Sequence, residues 1–95
     1  MKIVICTTPI RPEPLSYPPF GSMALISSLR AAGHDPYFYD IDGLRPSFEE
    51  VSQFFREYSP DMVGISAVVS TAYSYTKRLA ADIKSSTPNA KIVVG

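Results

Sequence analysis

Four short apolar runs, separated by segments with helical spacing, decide what this chain can fold into. Lys2-Ile3-Val4-Ile5-Cys6 and Met62-Val63-Gly64-Ile65 are continuous and largely β-branched, without the polar alternation of a half-exposed strand. Such runs belong to strands buried on both faces. Pro36–Tyr39 and Lys91–Val94 read as two further extended runs. Between strands 1 and 2, Phe20–Ala32 has a helical repeat, with Leu25, Leu29 and Ala32 as its inward stripe and Phe20 and Met23 one turn earlier. Pro18 and Pro19 suit its first turn and Gly33 its C′ position. Ile41–Pro46 reads as a turn. Ser47 and Glu50 then form a capping box, and Val51, Phe54, Phe55 and Tyr58 continue a second helix until Pro60 stops it. A third helix is expected with Ser70 or Thr71 as its cap and Ala72, Tyr75, Thr76, Leu79, Ala80 and Ile83 facing inward, ending at Thr87-Pro88-Asn89.

The order βαβαβαβ with helical crossovers requires a parallel sheet. Right-handed crossovers reduce the topologies to a few. The expectation is an α/β, flavodoxin-like (Rossmann-like) doubly wound sheet of strand order 2-1-3-4, truncated before a fifth strand, with residues 1–95 as one N-terminal part of a longer domain. In that order the chain reverses between strands 1 and 3, and ligands bind outside the carboxyl ends of those strands. Two loops lie there. Thr7–Pro19 carries five prolines and is longer than the ~2–6 residues usual for such connections. Ser66-Ala67-Val68-Val69-Ser70-Thr71 is small and hydroxyl-rich and leads into a helix N-terminus, a place that attracts anions.

Composition excludes several classes. Nine acidic and nine basic residues give no net charge, hence no general pull toward nucleic acid or anionic lipid. No apolar run approaches the ~20 residues that span a bilayer, and the N-terminal run is too short for a signal peptide. One cysteine cannot form an internal disulfide or hold a Cys-ligated cluster. The expectation is a cytoplasmic domain with neither a nucleic-acid nor a membrane partner. GxGxxG and GxxxxGK[ST] are absent from the sequence.

The two loops and their surroundings also resemble a known family. Tyr17-Pro18-Pro19-Phe20-Gly21 precedes Leu25 and Leu29, and Arg30-Ala31-Ala32-Gly33-His34-Asp35 follows, then Tyr39-Asp40. Asp61-Met62-Val63-Gly64-Ile65-Ser66, Ala80-Ala81-Asp82-Ile83-Lys84 and Pro88-Asn89-Ala90-Lys91-Ile92-Val93-Val94-Gly95 complete the series. In this order the pieces resemble the N-terminal cobalamin-binding domain of B12-binding radical SAM proteins. The resemblance implies cobalamin as cofactor. It implies contacts from Thr7, Thr8, Pro9 and Tyr17 in the corrin-facing first loop, from Ser66, Ala67, Val68, Ser70 and Thr71 after strand 3, and from Gly95, which matches the first glycine of the family's Gly-Gly pair. It further implies a C-terminal radical SAM barrel in the same parent chain, holding the 4Fe-4S cluster and S-adenosylmethionine; these 95 residues alone catalyse nothing. The DxHxxG motif that supplies an axial histidine in many cobalamin domains is missing from Thr7–Pro19, and the single histidine, His34, falls in a turn at the opposite end of the sheet.

Individual residues also carry ordinary readings. Cys6 reads as a core residue, and Asp40 and Asp42, placed where an acid binds ribose in dinucleotide sites, read first as cap and turn formers. Asp61 lies at the amino end of strand 3, the wrong end for a phosphoacceptor. Two other functions fit the same pattern: a degenerate docking scaffold that has lost cobalamin, or a nucleotide- or sugar-nucleotide-binding domain, since Leu29–His34 also fits the first-helix ending of glycosyltransferases. The apolar edge of Ile92, Val93 and Val94 predicts an edge-strand dimer.

Overall fold

The computed structural model describes residues 1–9, 20–67 and 72–95. Four strands, β1 (Ile3–Cys6), β2 (Tyr37–Tyr39), β3 (Met62–Ile65) and β4 (Lys91–Val94), alternate with α1 (Phe20–Ala31), α2 (Ile41–Leu44), α3 (Phe48–Tyr58) and α4 (Tyr73–Ser86). All pairings are parallel and the order is β2-β1-β3-β4, as the crossover argument requires. The central register sets Val4 beside Val63 and Cys6 beside Ile65.

The sheet is covered on two faces. Val4, Cys6, Val63 and Ile65 point toward α3 and α4, where Val51, Phe55, Leu79 and Ile83 complete the larger core. Ile3 and Ile5 point the other way, onto Ile26 of α1 with Leu29, Phe38 and Met62 alongside. All four residues of β1 are buried, which accounts for its unbroken apolar sequence. Aromatic packing reinforces the larger core: Tyr39 lies 4.4 Å from Phe54, and Phe54 stacks on Tyr58 at 5.5 Å. Phe48 joins α3 to α4, lying 5.1 Å from Tyr75 and beneath the Arg78 guanidinium at 4.1 Å.

The helix ends obey local chemistry. Gly33 has φ +93°, and the His34 amide reaches back to the Leu29 carbonyl, so α1 closes on a left-handed glycine. The Ser47–Glu50 capping box opens α3, and Glu50 is held below the usual carboxylate range chiefly by the Ser47 backbone amide it accepts. Three details depart from the sequence expectation. The segment expected as a turn at 41–46 contains the one-turn helix α2, because the Asp40 carboxylate accepts the Gly43 amide and caps it. The inward stripe of α1 is Ser22, Ile26 and Leu29, whereas Met23 and Leu25 are about half exposed. This helix has apolar residues around most of its circumference, so its orientation is chosen by Ile3 and Ile5 beneath it. The cap position of α4 is Ala72, which makes no side-chain cap bond; Ser70 and Thr71 lie outside the described residues.

Phe55 is fully buried and Tyr73 is 68% exposed. Phe55→Ala should lower the unfolding free energy by about 3–5 kcal/mol through the cavity it leaves, and Tyr73→Ala should stay within about 0.5 kcal/mol. Urea titrations of both variants check this; comparable losses would contradict the core assignment.

Candidate functional site

The pairing of β1 with β3 brings their carboxyl ends together, with α1 packed on one face of the sheet and α4 on the other. The Ser66 amide donates to the Cys6 carbonyl at 2.9 Å, extending the β1–β3 ladder by one rung. The Gly95 amide donates to the Ile65 carbonyl and the Ala67 amide to the Gly95 carbonyl, each at 3.0 Å. Cys6, Ser66 and Gly95 are thereby fixed along one edge of the sheet.

A cavity of about 270 Å³ opens beside this edge on the α1 face. Ile5 and Gly64 contribute its floor, Ile65, Ser66, Val93 and Gly95 its sheet-edge side, and Gly21, Ser22 and Leu25 its helical wall. Gly64 helps keep this space open. A Cβ at that position would approach Ile5 Cδ1 to 3.0 Å, and a larger side chain would fill the opening. Glycine inside a strand commonly marks the close approach of a ligand or another backbone. Ser22 is 5% exposed and belongs to the helical wall. The cavity therefore has an apolar floor and a buried serine in its wall. Its volume is just below the ~300–1,000 Å³ that encloses a whole small molecule, so it suits one arm of a larger ligand whose remainder lies outside.

The predicted site residues divide into three groups. Ser66 and Gly95 line the cavity, and Ala67 is bonded to Gly95 at its rim. Thr7 and Thr8 reach the same end of the sheet with hydroxyls engaged inside the protein: Thr7 donates to Asp40 Oδ1 at 2.7 Å, and Thr8 donates to the Ser66 carbonyl at 2.6 Å. Pro9 follows them, half-buried. Tyr17, Val68, Ser70 and Thr71 lie outside the described residues. Sequence reasoning missed Gly21, Ser22, Leu25, Gly64 and Val93. The glycine interrupting β3 was the signal that could have found this face.

The acidic residues near the strand ends have structural partners. Asp40 caps α2, and Asp42 pairs with Arg45 at 2.8 Å. Asp61 accepts the Lys2 amide at the amino edge. His34 is exposed in the turn before β2, also at the amino edge. Among the described residues no group of three or more His, Cys, Asp or Glu side chains could hold a metal ion, and no helix is long and apolar enough to cross a membrane. Cys6 is fully buried, and burial pushes its thiol from 9.0 up to about 12. A thiol so shielded is neither nucleophile nor ligand at neutral pH.

The family model described as B12 binding domain matches residues 14–95. No curated protein matches the chain. The family match spans most of the sequence, and the chain belongs to that family.

Cys6 should resist a disulfide reagent at pH 8 in the folded protein and react fully in urea; rapid labelling of the folded protein would contradict its burial. Burial also raises the Tyr39 phenol from 10.0 to about 12. Between about pH 9 and 12 the unfolded chain releases these protons while the folded chain retains them, so stability falls as pH rises through that window. Urea midpoints measured across this range should decline, and a flat profile would refute the shifts.

Proposed function

We propose, from the premise that this chain belongs to the B12-binding domain family, that it is the cobalamin-binding module of a radical SAM enzyme and is non-catalytic by itself. The observation that carries the cobalamin reading is the cavity at the β1–β3 switch point, with Gly64 beneath it and the Ser22 and Ser66 side chains in its wall. These residues fit a projecting arm of cobalamin such as its nucleotide tail, with Ser22 as a hydroxyl partner and the apolar floor excluding water. Bound cobalamin would supply a redox-active cobalt; the chain's own residues bind and orient it.

The radical SAM assignment rests on the order of the sequence motifs. In this reading a C-terminal barrel of the parent chain holds the 4Fe-4S cluster and S-adenosylmethionine, and the protein works in the cytoplasm. Asp40 supports this reading over the nucleotide-binding alternative in so far as its Oδ1 serves as a structural cap, accepting from Thr7 and Gly43. A second copy of this chain is the proposed partner at β4, where Val93 and Val94 are half exposed on an edge strand.

Calorimetric titration with hydroxocobalamin tests the cofactor reading. The expected result is one site per chain, with Gly64→Val weakening binding at least about tenfold by filling the cavity while the circular dichroism spectrum is retained. Absence of binding by the unmodified chain, or wild-type affinity in Gly64→Val, would overturn it; the former result would favour a docking scaffold. For the edge, sedimentation velocity should show a concentration-dependent dimer that Val93→Lys abolishes, and a monomer at all concentrations would contradict it.

A further inference from the structure

We propose that Thr7 and Thr8 are positioning residues that clamp the exit of β1 to the exits of β2 and β3, and so hold Ser66 in place at the cavity. Both side chains are buried, at 7% and 5% exposure. The Thr7 hydroxyl donates its one proton to Asp40 Oδ1 at 2.7 Å and accepts the Asp42 amide at 3.0 Å. Asp40 Oδ1 also accepts the Gly43 amide at 3.2 Å, so a single carboxylate oxygen joins the end of β1 to the first turn of α2.

On the other side, the Thr8 hydroxyl donates to the Ser66 carbonyl at 2.6 Å, while the Ser66 amide donates to the Cys6 carbonyl at 2.9 Å. Ser66 is thereby held through both of its backbone polar groups, its amide by β1 and its carbonyl by the segment that leaves β1. Parallel strands have no ladder partner beyond their last rung, so the segments leaving them open most readily unless side chains tie them down. Thr7 and Thr8 leave β1 between its two lateral neighbours, and one hydroxyl reaches the β2 exit while the other reaches the β3 exit. Each is also stiff at χ1.

A rim fixed before the ligand arrives avoids the ordering cost of binding. The clamp itself is a property of the empty chain. Its effect on affinity rests on the cobalamin reading above, and the experiment separates the two. Thr8→Val keeps the shape of the side chain and removes the donor; Thr8→Ser keeps the donor; Thr7→Val removes the acceptor of the Asp42 amide. Amide hydrogen exchange without ligand and titration with hydroxocobalamin are read on the same full chain.

Thr8→Val should accelerate exchange at Ser66 and Ala67 and weaken hydroxocobalamin binding, each by roughly five- to tenfold, the factor expected for one ordinary hydrogen bond. Thr8→Ser should restore both. Thr7→Val should accelerate exchange at Asp42. Wild-type exchange at Ser66 and Ala67 in Thr8→Val, a Thr8→Ser protein that behaves like Thr8→Val, or uniform acceleration across the whole sheet would overturn the clamp. If the unmodified chain fails to bind hydroxocobalamin, the cofactor reading falls and the exchange comparison alone decides the clamp.

Discussion

The pairing of β1 with β3 is the constraint on which the rest of the structure depends. It is a parallel register four residues long, Ile3 with Met62 through Cys6 with Ile65, and it lies at the centre of the sheet. β1 is paired on both sides and buried on both faces, so it carries the larger core through Val4 and Cys6 and the smaller one through Ile3 and Ile5. Fully burying each such side chain contributes about 1.5–3 kcal/mol relative to exposure. β2 lies to one side of the pair and β4 to the other, so the carboxyl ends of β1 and β3 stand at the centre of the edge where the proposed site lies.

The proposed site follows from the difference between the two faces of the sheet. On the face of α3 and α4, side chains from strands and helices interlock, and Cys6 is sealed among them. On the face of α1, a single helix stands over β1, and the neighbouring surface holds Gly64 and Val93 beside a helical wall of Gly21, Ser22 and Leu25. Small residues at Gly21, Ser22 and Gly64 create the space, and the exposed side chains of Leu25 and Val93 border it. A cofactor with one narrow arm and a broad remainder fits such a site, because the arm can be enclosed while the remainder rests outside. That is the physical content which family membership alone lacks.

Much of this was legible in the residues. The four strands and their order follow from short apolar runs, capping chemistry and the handedness of crossovers. The orientation of α1 was not legible, because Met23, Leu25, Ile26 and Leu29 leave more than one apolar stripe, and contact with Ile3 and Ile5 selects among them. Nor was α2, a single turn whose existence depends on one carboxylate of Asp40. Ser66 and Gly95 were singled out because they follow the ends of strands, and both line the cavity. Ser22 and Gly64 were missed because their importance comes from what they do not fill. Thr7 and Thr8 were placed at the right edge, but the sequence carried no sign that their hydroxyls close on Asp40 and Ser66.

The central claim is that cobalamin engages the carboxyl edge of β1 and β3 through the cavity on the α1 face. Amide chemical-shift mapping during a hydroxocobalamin titration tests it most directly. The account predicts saturable shifts concentrated at Gly21, Ser22, Gly64, Ser66 and Gly95, with His34 and Asp61 at the amino edge unmoved. Shifts centred on the amino edge, or none at any residue, would contradict it.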